Sequence, residues 1–407
     1  CVQKYGTPVP FPLLCRPPFK CYYFNKRKGL IAGKGIHMKI KAAVTHANAE
    51  PFQIETVDLE KPKAGEILVK IAACGICHTD EAAQHEQVPT PLPAVLGHEG
   101  AGIVEKVGEG VTEFKKGDRV GFSFAFCGHC DNCHTAHVAS CEHFNDINFG
   151  GVLRDGTSRL SQNGETLSMF FGQSAFAEYA VVDADCAIKV EDDSIDLGIV
   201  APLGCGIQTG AGTVLNFLKP EFGTSIVVFG CGTVGMSAIM AARIAGCSKI
   251  IGVGGNEKSL KLALEIGATH VINRKQCDDI VGEIKRITGG GANYSIDTSG
   301  VPDFVRKGLH CLAPMGVEVV VGITPPMEID MFGELMAEGK TISGVIEGAA
   351  VPKVFIPKML EYYRQGRFPV DKLVKYYSFA DINQAFADSH NGTALKAVVR
   401  MDEGWEK

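Results

Sequence analysis

The sequence predicts a chain of class α/β plus β, with one β-rich domain and one doubly wound parallel sheet. Three observations predict it. The 407 residues exceed what one hydrophobic core usually supports. From Met38 the segment "MKIKAAVTHANAEPFQIETVDLEKPKAGEILVKIAACGI" alternates like short strands divided by Pro and Gly turns. From Ser225 the segment "SIVVFGCGTVGMSAIMAARIAGCSKIIGVGG" reads as a buried strand, a tight glycine turn, a helix with small residues facing the sheet, and a second strand.

Composition narrows the partners. Hydrophobic residues make up 45% of the chain, and the net charge is −6 without a Lys- or Arg-rich run. Nucleic acid is therefore disfavoured, because phosphate binding needs clustered positive charge. The apolar runs are too short to cross a bilayer. Fifteen cysteines, an odd number, argue against a fully paired extracellular framework and for a reducing, cytoplasmic setting. Residues 1–37 show neither helical nor strand periodicity and no signal-peptide pattern; they read as a non-native or disordered leader, with Met38 as the genuine initiator.

"FCGHCDNCHTAHVASCEHF", Phe126 to Phe144, holds four cysteines and four histidines in 19 residues. Cys127, Cys130, Cys133 and Cys141 follow C-x2-C-x2-C-x7-C, and a thiolate pair two residues apart is the tight-turn half of a tetrahedral zinc site. Four soft ligands close the shell, which makes the site structural, and His129, His134, His137 and His143 are left as solvated loop residues. An iron–sulfur cluster and disulfides are the alternatives at this spacing.

A second donor set is dispersed. "CGICHTD" (Cys74 to Asp80), "LGHEGAG" (Leu96 to Gly102) and "APLGCGIQTG" (Ala201 to Gly210) supply Cys77, His98 and Cys205. Two thiolates and one imidazole are the set that catalytic zinc takes when it keeps a fourth position open. Downstream, the turn Gly230-x-Gly232-x-x-Gly235 lies between strand and helix, the context in which a helix N-terminus receives the pyrophosphate of a dinucleotide. Further strand-like segments, "HVIN", "YSIDTS" and "VEVVVGI", alternate with helical stretches and complete a parallel sheet over residues 207–346.

Taken in order, "CGICHTD", "GHEGAGIVEKVGEGV", "KKGDRV", the four clustered cysteines, "GCGIQTG" and "VVFGCGTVG" resemble the zinc-dependent medium-chain alcohol dehydrogenases, most of all the bacterial aryl (benzyl) alcohol dehydrogenases. The resemblance runs from Met38 to about Met401. It implies a GroES-like catalytic domain of residues 38–206 and 347–407, interrupted by a Rossmann domain of residues 207–346, and a homodimer or homotetramer. It implies catalytic zinc on Cys77, His98 and Cys205 with Glu99 beside the metal, structural zinc on Cys127, Cys130, Cys133 and Cys141, and Asp80 hydrogen-bonded to the ligand imidazole. Thr79 matches the hydroxyl that relays the alcohol's proton, while zinc lowers that alcohol's pKa and NAD or NADP takes its hydride. The cofactor set so implied is His78 and Lys396 on the pyrophosphate, Thr209 and Val234 against the nicotinamide, and Gly230, Gly232, Thr233 and Gly235 in the turn.

Several positions depart from the family pattern. Ala82 stands where relatives end the proton relay with histidine, leaving water, His78 or His85 to finish the transfer. Gly254 stands where an acid should bind the NAD ribose, so NADP is permitted through Lys258 or Ser259, while Asn256 is open to an NAD ribose. Asn145 replaces the arginine that glutathione-dependent formaldehyde dehydrogenases use, which weakens that alternative. Ser123, in the place of an aromatic residue of ethanol-preferring relatives, leaves room for a bulky alcohol, with Phe124, Phe126, Phe144 and Phe149 as candidate lining. A primary aromatic or other bulky alcohol is the expected substrate, and the long segment after the cysteine loop favours a dimer. A zinc-free reductase and a non-catalytic protein binding zinc and dinucleotide are the other classes.

Overall fold

A computed structural model describes residues 37–401. The expectation of a leader therefore falls, for residues 1–36, outside the described residues.

The alternating opening forms the strand Met38–Thr45, which pairs antiparallel with Gln53–Leu59 so that Met38 faces Leu59 and Val44 faces Gln53. These strands form the middle of a five-stranded sheet. A second sheet of seven strands is built around Glu66–Gly75, a nearly all-buried strand paired with both Gly100–Val107 and Tyr179–Asp183. The final strand, Lys396–Arg400, returns to this sheet and lies antiparallel to Glu66–Gly75, with Val399 opposite Cys74. The C-terminal strand thus comes back beside an early strand of the chain.

Between these two strands in sequence lies the third sheet, six strands that are all parallel. In chain order they run third, second, first, fourth, fifth, sixth, from His270–Asn273 at one edge to Thr341–Gly344 at the other. All five residues of the first strand, Ser225–Phe229, are buried, as a parallel strand covered on both faces requires. The strand order reverses between Ser225–Phe229 and Ala292–Asp297, which opens a crevice at their carboxyl ends.

The glycine turn enters that crevice. Gly230 has φ +101°, which a residue with a Cβ rarely adopts, and a Cβ on Gly235 would stand 1.9 Å from the Gly230 carbonyl oxygen. The helix that follows, Thr233–Ala245, buries its small and apolar face and ends on Gly246 in the left-handed region. Its Met236 and Ile239 share one core cluster with Ile207, Ala211 and Val214 of the connecting helical segment, so the chain entering the parallel sheet packs directly on it.

No single helix among the described residues is long and apolar enough to cross a membrane; one bent pair, Leu197–Gly204 with Gly206–Leu218, passes by length and composition alone.

Candidate active site

Cys77 caps the helix His78–Gln84, and this local geometry aims the whole site. Asp80, at the third helical position, turns back so that its Oδ2 accepts the Cys77 backbone N–H at 3.1 Å. Its Oδ1 accepts the Gly97 N–H at 3.0 Å and the His98 Nδ1–H at 2.9 Å. Asp80 is fully buried and holds Cys77 and His98 in register. With Nδ1 so engaged, Nε2 is the ring nitrogen left for a ligand, and it is a buried nitrogen without a hydrogen-bond partner.

Cys205 arrives from the other end of the catalytic part, at the N-cap of Gly206–Gly212, with Sγ 4.0 Å from Cys77 Sγ. One ligand atom each from Cys77, His98, Glu99 and Cys205 lies within 4.8 Å of the others. Two thiolates on one tetrahedral zinc ion stand about 3.8 Å apart, so sulfur spacing and the unpartnered Nε2 both fit that metal. The hydrogen bond with Cys205 and the facing His98 hold the Cys77 thiol well below its ordinary pKa, whereas the same bond and burial push Cys205 well above. Burial works to lower the His98 pKa, but the Asp80 carboxylate overcomes it and holds it well above its ordinary value.

Glu99 is fully buried behind these groups. Its carboxylate accepts both a Lys396 ammonium hydrogen on each oxygen, at 2.9 Å, and the Gly206 N–H at 3.3 Å. Burial pushes the Glu99 carboxyl up to about 7, and Lys396 pulls the other way. Lys396 donates its third hydrogen to the Ile76 carbonyl and is 2% exposed. It was expected on the cofactor pyrophosphate; the structure turns it inward, where all three of its hydrogens are spent.

The four clustered cysteines form a compact knot at the edge of the catalytic part. Cys127 Sγ lies 3.8 Å from Cys133 Sγ, and backbone N–H groups of Cys130 and His129 point at Cys127 Sγ at 3.3 and 3.4 Å. Such N–H groups stabilise thiolates. Backbone hydrogen bonding near Glu142 lowers the Cys130 thiol to about 6, while burial pushes Cys133 up to about 12. The four sulfurs lie within ligand distance of one another, and the fit is again that of one tetrahedral ion. His129, His134, His137 and His143 are exposed around it, although His129 and His143 also lie within reach of Cys127.

The remaining expected residues divide into two groups. Thr79 Oγ1 lies 3.6 Å from Cys77 Sγ, and His78 is exposed beside it. Ala82 is buried, and His85 donates its Nδ1–H to the Glu81 carbonyl at the helix end. Thr209 and Val234 approach where Gly210 packs so closely that a Cβ there would stand 2.0 Å from the Val234 carbonyl oxygen. Gly232 is exposed at the mouth of the turn, and Thr233 donates its hydroxyl to the Leu395 carbonyl at 2.6 Å. Gly254 closes the second parallel strand.

Two expectations are revised. Asn256 does not stand open for a ribose: its side-chain oxygen accepts the N–H groups of Lys258 and Ser259 at 2.9 and 3.3 Å and caps the helix Glu257–Ile266. Ser123 is fully buried, its hydroxyl donating to the Gly204 carbonyl and accepting from Gln208 Nε2 at 2.7 Å. Phe124 and Phe144 are core residues, whereas Phe126 and Phe149 are half-buried.

Sequence reasoning missed the residues that fold over His98. The Phe171 ring lies 4.6 Å from the His98 ring, tilted, and Phe170 meets it edge-on at 5.4 Å. Phe149 meets Phe171 edge-on at 5.2 Å and Phe170 tilted at 6.0 Å, and Phe144 reaches Phe171 at 6.2 Å. A chain of aromatic contacts therefore runs from Phe144, beside the cysteine knot, to the His98 imidazole. Glu347 is the other omission. It is buried, its Oε1 3.6 Å from Cys205 Sγ and its Oε2 accepting from Gln208 Nε2, and burial pushes its carboxyl up to about 7.

A buried thiol–imidazole set beside a dinucleotide crevice is the arrangement of a metal-dependent dehydrogenase. Comparison with known proteins agrees: residues 63–192 match the alcohol dehydrogenase GroES-like domain, and residues 233–362 match the zinc-binding dehydrogenase domain. The chain is 42% identical to a geraniol dehydrogenase of Castellaniella defragrans over 88% of its own length and 97% of that protein's. It is 35% identical to an S-(hydroxymethyl)glutathione dehydrogenase of Paracoccus denitrificans, over 89% of this chain and 100% of the other. The crystal structure of benzyl alcohol dehydrogenase from Acinetobacter calcoaceticus superposes with a TM-score of 0.86 at 42% identity, covering 90% of this chain and all of that one. The chain belongs to the zinc-dependent medium-chain alcohol dehydrogenases. It is an oxidoreductase that acts on the CH–OH group of a small alcohol, with zinc and NAD(P) as cofactors.

Proposed function

We propose that this enzyme oxidises bulky primary alcohols whose carbinol carbon adjoins an sp2 carbon, benzylic or allylic, to the aldehyde, and reduces the aldehyde in return. The observation that carries the reading is the aromatic layer over His98, with Phe171 on the imidazole and Phe170 and Phe149 behind it. Phe170 and Phe171 are buried and meet each other and Phe149 tilted or edge-on, so they enclose the His98 ring in an apolar shell, a setting that suits an apolar, bulky alcohol. The similarity to a geraniol and to a benzyl alcohol dehydrogenase supports it, since both of those alcohols are of this class.

In this reading Cys77, His98 and Cys205 hold the catalytic zinc with Glu99 behind it, and Cys127, Cys130, Cys133 and Cys141 hold a structural one. Zinc supplies Lewis acidity to the alcohol oxygen. Asp80 fixes the His98 tautomer and its aim. Thr79, half-buried next to exposed His78, accepts the alcohol's proton and passes it to solvent; the buried methyl of Ala82 closes the route through the helix. The turn from Gly230 to Gly235, with His78, Thr209, Val234 and Lys258, binds the dinucleotide. The catalytic part comprises residues 38–206 and 347–407 around a dinucleotide part of residues 207–346. A cytoplasmic homodimer is the assembly in which it works, and Thr341–Gly344 is an edge strand of the parallel sheet.

Steady-state kinetics test the reading. kcat/KM for benzyl alcohol and geraniol at least tenfold above that for ethanol and for S-(hydroxymethyl)glutathione supports it. A preference for either of the latter two overturns the substrate assignment.

A further inference from the structure

The end of the second strand of a doubly wound sheet is where the adenosine ribose of a dinucleotide is read, by an acid that accepts from the 2′-hydroxyl or by an arginine that accommodates a 2′-phosphate. In this chain Gly254 and Gly255 occupy that end and leave no carboxylate there. The neighbouring strand, His270–Asn273, delivers Arg274 and Lys275 to the gap. The backbone N–H of Arg274 donates to the Gly254 carbonyl at 2.9 Å, which fixes the arginine at the strand end. A Cβ on Gly255 would meet Arg274 Nε at 2.8 Å and Lys275 Cε at 3.3 Å. The guanidinium thus lies across the bare glycine, and a larger residue would displace it.

The surroundings leave this charge available. Arg274 is exposed, its guanidinium 5.6 Å from the Phe304 ring centroid, and no ion pair holds it, Lys258 or Lys275 among the described residues. Glu257, the first residue of the following helix, accepts from Gln276 Nε2 at 3.3 Å and points its charge to that side. Asn256 spends its side-chain oxygen on the helix cap, so it does not replace the missing ribose acceptor.

We propose that Arg274, laid over Gly255 with Lys275 beside it, is the specificity residue for a 2′-phosphate, so that the enzyme prefers NADP(H) to NAD(H). The proposal rests on the reading of the parallel sheet as a dinucleotide site. A planar guanidinium presents paired N–H donors to phosphate oxygens, and with glycine at residue 254 the strand-end acid that would repel a 2′-phosphate is absent.

Fluorescence titration of the zinc-loaded enzyme with NADPH and with NADH measures the preference, in wild type, Arg274→Ser and Arg274→Lys. Arg274 is exposed, so neither substitution disturbs the core. The expected result is NADPH bound at least tenfold tighter than NADH, a ratio that falls at least tenfold in Arg274→Ser and less in Arg274→Lys. NADH binding as tight as or tighter than NADPH, or a ratio that Arg274→Ser leaves unchanged, overturns the proposal while the dinucleotide site stands. Binding of neither dinucleotide overturns the dinucleotide site and the proposal together.

Discussion

Lys396 and Glu99 form a buried ion pair in which one ammonium reaches both carboxylate oxygens at 2.9 Å, immediately behind the thiols of Cys77 and Cys205. The strand that carries Lys396 is the last of the fold and the strand end that carries Glu99 is among the first, so this contact ties the returning chain to the catalytic part. Removing one partner leaves a buried charge without compensation. Lys396→Met is expected to lose about 3 kcal/mol of stability, and the double variant with Glu99→Gln to recover much of it. Denaturant unfolding of the zinc-loaded proteins checks this; additive losses in the double variant would show that the pair is not coupled.

Asp80 accepts from the Cys77 and Gly97 backbone N–H groups and from His98 Nδ1. Asp80→Ala is expected to weaken metal binding at that site by roughly 10–100-fold, because the His98 ring loses its anchor and the Cys77 turn its cap. Competition against a chromophoric chelator reads the affinity. The zinc on the cysteine knot, remote from Asp80, serves as the internal reference, and an unchanged affinity at both sites would contradict the anchoring role.

Glu318 gives a pH signature from the parallel sheet. It is fully buried; Ser295 Oγ donates to one carboxylate oxygen and the other has no partner. Burial and the nearby Asp297 charge push its pKa well above the ordinary 4.5. The folded carboxyl therefore keeps its proton where the unfolded one has lost it. Stability is fully retained below about 4.5 and falls as pH rises from there towards the folded pKa. Glu318→Gln is expected to be more stable than wild type at pH 8 by about 1–2 kcal/mol, with the difference vanishing near pH 4. Thermal unfolding at the two pH values measures it, and a pH-independent difference would contradict the assignment.

The parts that were legible before the structure are those whose signal is local in the chain. The C-x2-C-x2-C run and the glycine turn between strand and helix each sit within one short segment and close on themselves. Cys205 was legible as a donor type that completes a catalytic-zinc set with Cys77 and His98, and the resemblance then fixed its role, because 128 positions separate it from Cys77 and no spacing rule spans that. Phe170, Phe171, Glu347 and Arg274 were not legible. Each acts on a residue that only the tertiary fold brings near: His98, Cys205 or Gly255. Lys396 was misplaced for the same reason, since the partner that turns it inward, Glu99, lies 297 positions away. Asn256 is the N-cap of the helix Glu257–Ile266, a role not assigned to it from the sequence.

The central claim is that the thiol–imidazole set of Cys77, His98 and Cys205 holds the zinc on which alcohol oxidation depends. The measurement is zinc content and benzyl alcohol turnover on the same preparations of wild type and Cys205→Ala. Two zinc ions per chain are expected in wild type, one for each buried ligand cluster, and one in the variant. Turnover should fall about a thousandfold or more, as loss of several kcal/mol of transition-state stabilisation requires. A variant that keeps both zinc ions, or one that turns over at the wild-type rate with a single zinc, would contradict the account.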